Sequence, residues 1–142
     1  MGTRSTIALE YADGTVEQVY CHWDGYLSHN GRILQEHYSD PFKLRDLINL
    51  GFLSSLGERI GTQHAFDRAP EGECTFYKRD RNEDGCEAIK FKDFEAYKAN
   101  HQYEEYEYIL RQVDDQAVWF VAIHSDRYVT LAEAFEMEKE EA

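Results

Sequence analysis

The chain opens with strict alternation of apolar and polar positions. "STIALEY" (5–11) and "VEQVYCHW" (16–23) both have the two-residue period of a half-buried strand. Asp13-Gly14 between them is a strong short hairpin signal. On the second strand, Val16, Gln18, Tyr20 and His22 point one way and Glu17, Val19, Cys21 and Trp23 the other. The pattern breaks at Asp24-Gly25. A helix is predicted over 30–38 with Asn30 as its cap. A second is predicted over 40–51, where Asp40 caps, Pro41 takes the first turn and Gly51 stops it. Phe42, Leu44, Leu47, Ile48 and Leu50 give that helix an apolar face. A turn-rich connection follows over 52–61. Residues 74–80 and 86–91 read as strands, 92–101 as a helix, and 106–113 with 117–125 as a hairpin around Asp114-Asp115-Gln116. The run 117–125 is almost wholly apolar, which predicts a central, covered strand. Residues 130–142 read as a helix with an acidic tail from about 136 to 142. The expected architecture is a single α+β domain over 1–142, an antiparallel β-sheet built from hairpins with short helices packed on one face.

Composition fits that size. At 142 residues, 42% of them hydrophobic and 14% aromatic, the chain suits one domain with a substantial core. No run of about 18 apolar residues occurs, so no membrane span is expected, and "MGTRSTIALE" lacks the apolar h-region of a signal peptide. Three cysteines without paired spacing point to reduced thiols and a cytoplasmic setting.

Charge changes the picture more. The net charge is −13, of which residues 1–60 carry −3 and residues 61–142 carry −10. Such a chain repels nucleic acid phosphates, so direct nucleic acid binding is not expected. The excess acid serves solubility or docks on a basic groove of a partner.

The densest chemistry lies in "YCHWDGYLSHNG" (20–31). Cys and His pairs two to four residues apart, the usual spacing of structural zinc ligands, are missing, so no metal or cofactor is expected. Cys21 and His22 are adjacent on a strand and face opposite sides, which rules out an easy thiolate pair. Neither a Gly-rich phosphate loop nor a Gly-x-Ser-x-Gly elbow occurs. Two readings of the segment remain. In one, Trp23 and Tyr26 stack a base while Arg4, Arg32 and the amides near Gly31 meet phosphate, with His22, Asp24, His29 and Asn30 completing a nucleotide pocket. In the other, the same residues fill a corner between hairpin and helix. A further alternative is a phosphodiesterase or nuclease that uses His22 and His124 as base and acid, although "HWD" and "HSD" do not match the His-x-Ser/Thr repeat of two-histidine phosphoesterases. In the second half, Tyr103, Glu104, Glu105, Tyr106 and Glu107 alternate aromatic and acidic residues, a pattern that suits the edge contacting a basic partner.

The string "TRSTIALEYADGTVEQVYCHWDGYLSHNGRILQEHY", followed by "LINLGFLSSLG", resembles a group of small proteins from tailed phages and prophages. These share an opening TRS-x-I, a DG turn, YCHWDGY-x-x-HNG-x-IL and LSSLG. The match covers residues 3–57, with "FL" at 52–53 where an acidic residue before Leu is expected. The resemblance brings no catalytic residue with it. It implies a small accessory protein that acts by binding a host component, with a defence system as the foremost target class. Sequestration of a signalling nucleotide is the alternative.

Overall fold

The structure is a computed structural model and describes residues 3–100, 105–124 and 127–141. Strand β1 (Ser5–Glu10) pairs antiparallel with β2 (Val16–Cys21), as the alternation requires. Their turn is closed by Tyr11 and Thr15. Asp13 accepts from the Thr15 amide and hydroxyl, and Gly14 takes a positive φ of 90°. Helices α1 (Arg32–His37) and α2 (Pro41–Asn49) follow, the second capped by the Asp40 carboxylate on the Phe42 amide. Short strands β3 (Leu53–Ser55) and β4 (Thr75–Phe76) flank a long loop. After α3 (Tyr77–Arg81), β5 (Ile89–Phe91) and α4 (Phe94–Asn100) comes the hairpin of β6 (Tyr106–Val113) and β7 (Gln116–Ile123). Its two-residue turn places Asp114 and Asp115 at φ 51° and 66°, the doubly left-handed geometry that matches strand twist. Strand β8 (Val129–Thr130) and α5 (Leu131–Glu141) end the chain.

The class is α+β, in one compact domain. The sheet runs β4-β3-β2-β1-β6-β7-β8, with β5 added on β2. It is mixed rather than wholly antiparallel, because β1 lies parallel to β6 and β2 parallel to β3. Helices also cover both faces. Leu34, Leu44, Leu47, Ile48, Leu131 and Ala134 pack on the face that carries Ile7, Leu9, Val19, Tyr108 and Val121. Tyr97 and Phe94 of α4 cover Ala8, Val16 and Ile109 on the other. The central strands are β1 and β6. Strand β7 is covered but stands beside the two-residue β8, because β6, not β7, takes the place next to β1.

The expected strand 74–80 stops after Phe76. The Asp80 carboxylate accepts from the Phe76 amide (2.8 Å) and the His64 amide (3.1 Å), and Arg79 grips both of its oxygens. These local bonds close a helical turn and override the β-propensity of "TFY". Among the described residues, no helix is long and apolar enough to cross a membrane.

Candidate binding surface at the end of β2

Strand β2 runs on past its last ladder pair. The His22 amide donates to Leu53 (3.1 Å) and the Trp23 amide to Ser54 (3.0 Å). Asp24 then turns the chain with a left-handed φ of 59°, a conformation that aspartate tolerates better than most residues with a side chain. Gly25 follows in a space that admits no side chain: a Cβ there would stand 2.8 Å from both Ser5 Cβ and the Thr3 carbonyl oxygen. Its amide donates to Thr3 (2.7 Å), and its carbonyl accepts from the Tyr108 hydroxyl of β6 (2.6 Å). Residues 27–31 form a wide i→i+5 turn leading into α1, a geometry often found where a segment is shaped for function.

Asn30 is the pivot of this corner and is fully buried. Its side-chain amide donates to the Trp23 carbonyl (3.2 Å) and Ser5 hydroxyl (3.3 Å), its Oδ1 accepts from His29 Nδ1 (2.9 Å), and its backbone amide donates to Asp24 (3.2 Å). A buried polar side chain with this many partners holds its segment in one shape. Cys21 lies beside it, with its thiol pushed up to about 12 by burial, so it is no nucleophile at neutral pH.

The outer side of the corner is aromatic. Trp23 is 43% exposed and Tyr26 39% exposed. The Trp23 ring meets His22 edge-on at 4.7 Å between centroids. His22 Nδ1 hydrogen-bonds the Tyr20 hydroxyl (2.7 Å), and Tyr20 in turn packs on Phe52. Tyr26 leans on His29 at 6.1 Å. Arg4 and Arg32 are exposed and form no ion pair among the described residues. The structure therefore brings Trp23, Asp24, Tyr26, His29 and Asn30 to one corner, as expected. It gives Asn30 an internal role, and leaves the two rings and two arginines on the surface.

The acidic segment fares differently. Tyr103 and Glu104 lie outside the described residues. Glu105 is half-buried, and Tyr106 stacks on Tyr108 at 6.3 Å with 12° between rings. Glu107, expected at a partner surface, is 0% exposed. It pairs in register with Thr6 and faces α4 near Tyr97, because β6 is a central strand with both faces covered. It cannot be a docking residue.

His22 and His124 cap β2 and β7, with β1 and β6 between them. Three strand spacings separate them by roughly 14 Å, and each ring has its own neighbour, Tyr20 for His22 and Tyr106 for His124. That spacing does not suit two groups acting on one phosphoryl centre. Among the described residues, no cluster of three His, Cys, Asp or Glu side chains is placed to hold a metal.

Two features carried little sequence signal. One is a clasp in which His64, Arg79 and Asp80 lock the loop between β3 and β4. Arg79 donates to Ile60 (2.9 Å), Gly61 (3.1 Å) and Cys74 (3.0 Å) as well as to Asp80. The other is a cavity of about 430 Å³ beneath α5. Sixteen residues separate His64 from Asp80, and the cavity is assembled from four distant segments; neither spacing forms a local pattern.

Comparison with known proteins returns no match, whether to a family model, a curated protein or a solved structure.

Proposed function

We propose that this protein is a non-catalytic inhibitor that binds a host component, a protein of a defence system, through the Trp23–Tyr26 corner. The observation that carries this reading is the contrast within the corner. Two large rings are exposed while the backbone beneath them is fixed by Asn30, Gly25 and Tyr108. Exposed tryptophan and tyrosine on a rigid base are the residues that most often dominate binding energy. Little ordering entropy is lost when such a surface engages. The link to host defence rests on the resemblance of residues 3–57 to phage accessory proteins.

A second reading, sequestration of a signalling nucleotide, is favoured by two exposed rings of the kind that stack a base, Trp23 and Tyr26, and by Arg4 and Arg32, which are exposed and form no ion pair among the described residues. A protein partner fits better, because nucleotides are held in clefts that bury most of the ligand, whereas Trp23 and Tyr26 stand out into solvent.

The test is inhibition of defence in cells, with Trp23→Ala and Tyr26→Ala measured singly. Each is expected to lose about 2 kcal/mol or more of binding at unchanged protein level. Full protection by both variants would overturn the reading. Calorimetry against a panel of signalling nucleotides separates the alternatives: heat that disappears in Trp23→Ala would favour sequestration.

A further inference from the structure

The cavity beneath α5 combines apolar side chains with carboxylates. Leu27, Val121, Ile123, Val129 and Ala134, all buried or half-buried, give it an apolar lining. Its volume of about 430 Å³ lies within the usual range for sites that enclose a ligand or anchor side chains. Met137 is 52% exposed at its mouth, a soft and adaptable side chain where an apolar partner would enter. Glu133 and Glu138 of α5, and Arg127, supply the charged part of the lining. Along the helix, Glu136 is neutralised by Lys139 at 3.6 Å, whereas Glu138 forms no ion pair among the described residues. Glu138 lies near enough to Tyr106 to add to the upward push that burial gives its hydroxyl. Residues 105–142, which supply the whole lining except Leu27, hold 10 acidic and 3 basic residues and so carry −7. The lining is therefore mainly apolar, its charged members are two carboxylates and one cation, and the negative charge of this part of the chain attracts cations.

We propose that this cavity is a docking groove for a basic amphipathic segment of a partner protein. One or two apolar side chains of that segment pack on the apolar lining, and its Lys or Arg residues meet Glu133 and Glu138. A peptide fits better than a single small amine because the negative field extends well beyond the cavity and rewards several charges at once. The groove is continuous with the corner described above: Leu27 follows Tyr26 directly, and α5 packs on residues 27–31. The inference deepens the binding reading by naming the partner's chemistry.

The test is fluorescence anisotropy of the full chain with a labelled Leu/Lys amphipathic peptide, its Leu/Glu counterpart as control. Saturable binding of the Leu/Lys peptide is expected. Met137→Lys should weaken it by about tenfold or more. Glu133→Gln with Glu138→Gln should weaken it and flatten its salt dependence. Glu36→Gln with Glu87→Gln, which removes the same charge elsewhere, should leave it unchanged. If Met137→Lys alters the thermal midpoint, Met137→Gln serves in its place. Equal binding of the Leu/Glu peptide, equal weakening by the Glu36/Glu87 pair, or no effect at Met137 would overturn the groove. If no peptide binds while Trp23→Ala still abolishes inhibition, the groove fails and the corner stands. If the peptide binds as expected while the corner variants inhibit fully, the groove stands and the corner fails.

Discussion

Residues 20–31 and 103–108 have much the same character: tyrosines interleaved with polar and titratable residues. The fold treats them in opposite ways. The first leaves the end of β2 and turns outward around Asn30, so its rings face solvent. The described part of the second runs down the central strand β6, so Glu107 is swallowed under α4 and Tyr106 is half covered. Position in the sheet, more than composition, decides whether an aromatic and acidic segment can meet a partner. A strand end offers a free side, and a central strand offers none.

The largest test of that contrast is Glu107→Lys. A longer cation in a site with no exposure should destabilise the fold by about 3–5 kcal/mol, read as a lower midpoint in urea. A shift of less than 1 kcal/mol would return Glu107 to the surface. Asn30→Ala comes next. It strips the Trp23 carbonyl and Ser5 hydroxyl of a donor inside the core, an expected loss of about 2 kcal/mol together with weaker inhibition, since the rings lose their base. Unchanged stability would show that the corner does not depend on its pivot.

The clasp at His64 sets a smaller, pH-dependent effect. The folded pKa of His64 is raised, first because the Cys74 carbonyl accepts from Nε2 (2.9 Å), with Ala65 and Asp80 adding to this against burial. A raised value means that the contribution to stability is complete below the unfolded value of about 6.5 and is lost as pH rises through the folded one. Asp80 runs the other way. Burial would raise it, but Arg79 and the amides of Phe76 and His64 outweigh burial and hold it below the ordinary range. Its contribution is present above about pH 3.9 and is lost as pH falls through its folded value. The midpoint of the natural chain should therefore drop more between about pH 6 and pH 8 than that of His64→Gln. Parallel curves would show that the clasp does not respond to pH. Glu105→Gln, half-buried on the disfavoured segment, should shift stability by less than about 0.5 kcal/mol and leave inhibition untouched. A clear loss of inhibition would restore the acidic segment as a contact.

Much of this arrangement was legible in the sequence, for physical reasons. The β1–β2 and β6–β7 hairpins follow from two-residue alternation and Asp-rich turns, and α2 from Asp40, Pro41 and its apolar stripe. The compact corner followed from Asp24-Gly25 and Asn30-Gly31 lying a few residues apart. The parallel pairing of β1 with β6 was not legible, because it joins strands about 100 residues apart and no local pattern encodes a partner. The burial of Glu107 was hidden for the same reason. Period two assigns it a face, and only the neighbouring strands and α4 decide that this face is closed. Asn30 read as a cap or a ligand because an asparagine that bonds its own loop has the same local sequence as one that bonds a guest.

The most direct measurement compares the two segments side by side on one partner complex. Dissociation rates are recorded for the natural chain, for Trp23→Ala with Tyr26→Ala, and for Glu104→Gln with Glu105→Gln, at matched thermal midpoints. Binding centred on the corner expects dissociation at least tenfold faster for the aromatic pair and a nearly unchanged rate for the acidic pair. An unchanged rate for the aromatic pair, above all with faster dissociation of the acidic pair, would contradict it.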